Sequence, residues 1–115
     1  MSRRGGRSPA AGADGPHAGG LELEFRGDVW FWRGPSPWHF VTVPDEECRA
    51  LASLAPQVTY GWGMIPVRAR IGRTTWTTSL FPKDGEYAVP LKFAVLRAEQ
   101  IDVGDLVSVR LTVDV

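Results

Sequence analysis

Val107, Val109, Leu111 and Val113 are apolar, and Ser108, Arg110, Thr112 and Asp114 between them are polar. Successive side chains of an extended strand point to opposite faces, so this period of two marks a strand with one face in a core and the other in water. Leu21, Leu23 and Phe25 alternate in the same way with Glu22, Glu24 and Arg26, and Val67, Ala69 and Ile71 with Arg68 and Arg70. A chain organised by this period is expected to be mainly β.

Other segments fill in the order. The first strand resumes through Val29–Trp32 after Gly27 and Asp28, a pair that predicts a bulge or bend. Gly34-Pro35-Ser36-Pro37 is a stiff turn before a strand at His39–Val43. Pro44 opens a helix over about Asp45–Ala55, whose Cys48, Leu51, Ala52 and Ala55 fall at i, i+3, i+4 and i+7. Asp45, Glu46 and Glu47 complement the dipole of its first turn, and Pro56 is expected to end it. Gly61-Trp62-Gly63 reads as a turn, followed by strands at Met64–Ile71 and Thr74–Phe81. Pro82-Lys83-Asp84-Gly85 reads as a hairpin turn, because Asp-Gly suits the positive φ values such turns demand. Glu86–Val89 returns as a strand, Pro90 is expected to open a second helix to about Arg97, and Gly104-Asp105 turns into the last strand.

This order repeats: Val43-Pro44 leads to a helix and then a strand, and so does Val89-Pro90. Two interlocking, pseudo-symmetric strand–helix–strand units are satisfied by a small β-barrel with two peripheral helices, and closure removes sheet edges.

The length of 115 residues fits one domain. Residues 1–20 stand apart, with fourteen Gly, Ala, Ser or Pro and no Val, Ile, Leu or aromatic residue. Such a segment buries too little apolar surface to offset its ordering entropy, so it is expected to be a disordered arm, leaving residues 21–115 as the barrel domain. It lacks the apolar stretch of an export signal, and no run in the chain approaches the roughly 18 apolar residues of a membrane span. A reducing cytoplasm follows as the expected location. The arm holds three arginines against one aspartate, which leaves ten basic and twelve acidic groups in the rest. That balance gives no support to a nucleic-acid-binding domain. One cysteine excludes an internal disulfide, and with only two histidines no four-ligand zinc site of Cys and His can form.

Four stretches carry a likeness. Trp32-Arg33-Gly34-Pro35-Ser36-Pro37-Trp38-His39-Phe40-Val41-Thr42-Val43-Pro44 resembles the signature of the bacterial and archaeal family catalogued as domain of unknown function (DUF) 1905. So do Gly61-Trp62-Gly63 with Ile65-Pro66-Val67, the stretch from Ile71 to Lys83, and Val103-Gly104-Asp105-Leu106-Val107-Ser108-Val109. The resemblance implies a double-split β-barrel, related in architecture to AbrB-type and antitoxin-type transcription regulators. It implies no activity.

Five tryptophans, Trp30, Trp32, Trp38, Trp62 and Trp76, are many for a small barrel to bury. Val29–Trp32 is apolar on both strand faces, so one face should lie outside the barrel core. That excess fits core packing, a ligand groove, or an interface with a partner or a second copy. Arg68 and Arg70 share a polar strand face with Arg73 just beyond, and Thr75, Thr77 and Ser79 alternate on the next strand. This set would grip a phosphate or carboxylate, or else form a solvated face paired with Glu and Asp.

Cys48 and His39 are the serious nucleophile–base candidates, but Cys48 lies on the apolar stripe of its helix and no third orienting group accompanies them. Phosphate-binding and dinucleotide glycine motifs are absent from the sequence, so no cofactor, metal or catalytic residue is assigned. The expected role is a non-catalytic binding or regulatory domain for an anionic or aromatic small ligand or a protein partner. Its surface would combine Arg68, Arg70, Arg73, Thr75 and Thr77 with exposed members of Trp30, Trp32 and Trp38. The alternative is a nucleic-acid-binding barrel, and the third reading is a hydrolase or redox enzyme using Cys48 and His39.

Overall fold

The alternating segments form strands, and their partners in space are not their neighbours in sequence. The computed structural model describes residues 20–35, 37–60 and 63–114. Its elements are β1 (Gly20–Trp32), β2 (Trp38–Thr42), α1 (Asp45–Val58), β3 (Ile65–Ile71), β4 (Thr74–Lys83), β5 (Glu86–Leu91), α2 (Phe93–Ala98) and β6 (Leu106–Asp114). The strands pair antiparallel and close a barrel in the order β1-β2-β5-β4-β3-β6. The arm expected at residues 1–20 lies outside the described residues except for Gly20, which opens β1 opposite Asp114.

Two strands change partner midway. β1 pairs with β6 from Gly20 to Asp28 and with β2 from Val29 to Trp32. β4 pairs with β3 from Thr74 to Leu80 and with β5 from Phe81 to Lys83. The barrel is therefore two sheets that share β1 and β4: sheet A with β6 and β3 between them, sheet B with β2 and β5. Exchanging β1 with β4, β2 with β5 and β3 with β6 leaves the barrel order unchanged. The two strand–helix–strand units thus interlock as the sequence repeat implies.

No bulge interrupts β1 at Gly27 and Asp28; the strand is continuous from Gly20 to Trp32 and changes sheets there instead. A Cβ on Gly27 would meet Val41 Cγ1 at 2.8 Å and Thr42 O at 3.3 Å, so the glycine serves close approach of β2 at the crossover. Pro90 does not open a helix. It sits in β5 opposite Phe40, and α2 begins at Phe93. Its carbonyl accepts a hydrogen bond from Trp76 Nε1 on β4 at 3.2 Å, so its N–H-less side faces β4. The β4–β5 ladder ends at Ala88, so no ladder bond is lost there. Pro56 likewise does not end α1, because the next turn still closes through Thr59 N–H to Ala55 O at 3.0 Å. The β4–β5 hairpin is as expected, with Asp84 and Gly85 at φ 53° and 80° between paired Lys83 and Glu86.

Inward residues of every strand fill the barrel, among them Val29, Val41, Ile65, Leu80, Val89 and Leu111, all buried to within 1%. β2 and β5 run antiparallel side by side, so α1 and α2, which follow them, depart from opposite ends. Cys48 and Leu51 of α1 and Val95 and Leu96 of α2 join this core. Glu99, just past α2, accepts from Thr74 Oγ1 at 2.6 Å and from the Arg73 N–H at 3.2 Å, which ties the helix end to the β3–β4 turn. Among the described residues no helix is long and apolar enough to cross a membrane.

Candidate functional site

The outward side chains of β1 are the even-numbered ones, and in sheet B these are Trp30 and Trp32. Opposite them on β2 stand Phe40 and Trp38, and Phe40 in turn faces Pro90 on β5. Phe81, the first outward residue of β4 in sheet B, meets the Phe40 ring edge-on at 6.1 Å between centroids. Together Trp32, Trp38, Phe40, Phe81 and Pro90, with Met64, Thr78 and Ser79, line a groove of about 340 Å³. None of these side chains is charged. Trp32, Trp38 and Phe81 are 41%, 44% and 42% exposed, whereas Phe40 at the floor is buried. At one rim Tyr60 and Ser79 hydroxyls hydrogen-bond at 2.5 Å.

The groove sits where the barrel is split. Between Thr74 and Leu80, β4 pairs with β3 alone, and beyond Ala88, β5 pairs with β2 alone. Trp76 bridges that gap from inside through its bond to Pro90 O. Trp30 is set apart from the open rim. Its ring stacks on Phe40 at 5.1 Å and its Nε1 donates to Thr42 Oγ1 at 2.9 Å, leaving it half-buried. Of the expected aromatic set, then, Trp32 and Trp38 are open to a ligand and Trp30 buttresses the floor. Trp62 lies outside the described residues, as does Gly61; Gly63 of the expected turn has φ 89°.

The Arg and Thr set lies on the other sheet. Arg68 faces Thr77 and Arg70 faces Thr75 across β3 and β4, all four exposed on the outside of sheet A. Arg73 lies in the β3–β4 turn, exposed, with its backbone N–H on Glu99. The arginine and tryptophan sets thus occupy separate faces and do not form one patch. They adjoin only along β4, whose outward row runs Thr75, Thr77, Ser79, Phe81. The sequence reading missed Phe81, an apolar residue on the parity of that otherwise polar row. It also missed Arg110, which stands directly opposite Arg70 and bonds Glu24 at 3.4 Å.

Cys48 is a free, buried thiol that donates to Val43 O at 3.2 Å. Burial pushes its pKa up, opposed by the backbone hydrogen bond at Tyr87 and reinforced by the carboxylates of Glu86, Asp45 and Glu47. His39 lies at the far end of β2 against the Phe31 ring, 4.7 Å between centroids. Among the described residues no hydrogen bond joins the two, and no three His, Cys, Asp or Glu side chains gather as a metal cluster.

These features define a class: a small split β-barrel with an aromatic groove on one outer face and an arginine-bearing surface on the other. Residues 25–111 match the family described as "Domain of unknown function (DUF1905)", and the chain belongs to that family. No curated protein matches the chain.

Proposed function

We propose that this domain is a binding module, and that the aromatic groove over the split in sheet B receives an uncharged small ligand with a flat or aromatic body. The observation that carries this reading is the exposure of Trp32, Trp38 and Phe81 around one concavity while the barrel interior is filled by other residues. Exposed large apolar surface costs free energy in water, at about 25 cal/mol per Å², and a contiguous patch of it is the usual mark of a binding surface. A volume of about 340 Å³ falls at the small end of ligand sites. Uncharged walls favour neutral ligands over ions, and the hydroxyls of Ser79 and Thr78 add hydrogen bonds that orient them. The module is read as regulatory or sequestering, and as cytoplasmic, where the lone Cys48 would stay reduced.

The test is an NMR screen of neutral aromatic fragments against the intact chain. Binding that shifts Trp32 and Trp38 indole resonances and is lost in Trp32→Ala and Trp38→Ala supports the module. If no fragment perturbs those resonances, while the protein self-associates or captures a partner through the same residues, the groove is an interface and the small-ligand reading fails.

A nucleic-acid reading draws on Arg68, Arg70 and Arg110 sharing one sheet face. Glu22 and Glu24 share that face too and weaken it. Anisotropy of labelled duplex DNA across a salt series checks it: salt-sensitive micromolar binding, lost in an Arg68/Arg70/Arg73→Ala variant, would favour this second reading.

A further inference from the structure

We infer that the outer face of sheet A carries an oxyanion site, distinct from the groove, in which Arg70 and Arg110 clamp a phosphate group. The two arginines are direct cross-strand neighbours on β3 and β6. Side chains so placed stand about 4.5–5.5 Å apart at Cβ, and like charges there repel. Their surroundings relieve the repulsion unevenly. Glu24 reaches Arg110 at 3.4 Å, but among the described residues no carboxylate lies within ion-pair distance of Arg70. Arg70 is instead tethered through Nε to the Gly72 carbonyl at 2.9 Å, which holds its guanidinium beside the β3–β4 turn, and among the described residues neither Nη makes a hydrogen bond.

Arg70, Arg110, Ser108, Gly72 and Glu24 line one depression of about 230 Å³, so both guanidiniums open onto the same space. A tetrahedral oxyanion there would accept bonds from each guanidinium and from the Ser108 hydroxyl, and would remove the like-charge penalty. Arg68, one outward position along β3, raises the local potential. Glu24 acts as the built-in competitor: its ion pair is exposed and long, the kind an incoming anion displaces. Phosphate is preferred over a monocarboxylate because it carries more charge and its tetrahedral oxygens reach two separate guanidiniums and a hydroxyl at once.

The experiment follows the arginine Nε–Hε and backbone resonances of the full chain during titration with inorganic phosphate, a nucleoside 5′-monophosphate and the parent nucleoside, at fixed ionic strength. The expected result is a saturable shift confined to Arg70, Arg110 and Ser108 with both phosphate probes and none with the nucleoside. Arg70→Gln and Arg110→Gln should each weaken it at least fivefold, Glu24→Gln should tighten it severalfold, and Trp32→Ala should leave it unchanged. Stronger binding of the monophosphate points to an esterified phosphate as the source, and equal binding to the free ion. Equal shifts at all arginines, insensitivity to Arg70→Gln and Arg110→Gln with the fold intact by its amide spectrum, or an equal response to the nucleoside would overturn the site.

Discussion

β1 and β4 each run through both sheets, and each changes character where it changes partner. In sheet A the outward side chains of β1 are Glu22, Glu24, Arg26 and Asp28, and in sheet B they are Trp30 and Trp32. The outward residues of β4 are Thr75, Thr77 and Ser79 in sheet A, then Phe81 and, at the turn, Lys83 in sheet B. The inward residues of β1 show no such change: Phe25 in sheet A and Val29 in sheet B are both buried. One barrel therefore meets a single internal requirement and carries two unlike exteriors. Barrel closure explains the interior. It does not explain why one exterior is aromatic, and the proposed ligand groove lies on that exterior.

Three substitutions test that division between interior and exterior, the largest first. Trp76→Ala removes a buried ring and its bond to Pro90 O at the split, and should cost about 3–5 kcal/mol in urea denaturation. Trp32→Ala and Trp38→Ala, each more than 40% exposed, should cost about 1 kcal/mol or less. Equal losses from all three would make the groove part of the core and erase the distinction. Gly27→Ala comes next, at about 1–3 kcal/mol, because its methyl would press on Val41 and the Thr42 carbonyl at the crossover between sheets. A neutral Gly27→Ala would mean that the crossover has slack. Thr42→Val keeps the volume and removes the acceptor of the Trp30 indole, for an expected loss of about 1 kcal/mol and a shifted Trp30 indole resonance.

The strands were legible in the sequence because a period of two leaves its mark on every one-sided strand. Prolines misled, since their role depends on a neighbour the local sequence does not name. Pro90 is tolerated in β5 because β4 has already parted from it, and nothing between Val89 and Leu91 announces that. The groove was half legible. Trp32 stood out as an apolar residue in excess on a strand already supplied with an apolar face, and Trp38 as one of five tryptophans, many for a small barrel to bury. Phe81 and Pro90 come to them through the non-consecutive order β2-β5-β4. Arg110 reaches Arg70 in the same way, through β6 lying beside β3. What escaped the sequence in each case is adjacency across a barrel.

The smallest effect is expected to vanish at neutral pH. Cys48 lies inside, under α1, and burial raises its thiol pKa above the unfolded value. A raised pKa means that the native state holds the proton more tightly than the unfolded chain does. The associated stability is therefore complete below the unfolded thiol pKa of about 8.5 and is lost as pH climbs through the folded value. Denaturation midpoints should be flat near pH 7 and decline at alkaline pH, and Cys48→Ala should remove that part of the decline while lowering stability at every pH through lost packing. The native thiol should also react with a disulfide reagent only as fast as the protein opens. Rapid modification of the folded chain at pH 7 would instead place Cys48 on an accessible surface and reopen a chemical role for it with the Asp45–Glu47 turn.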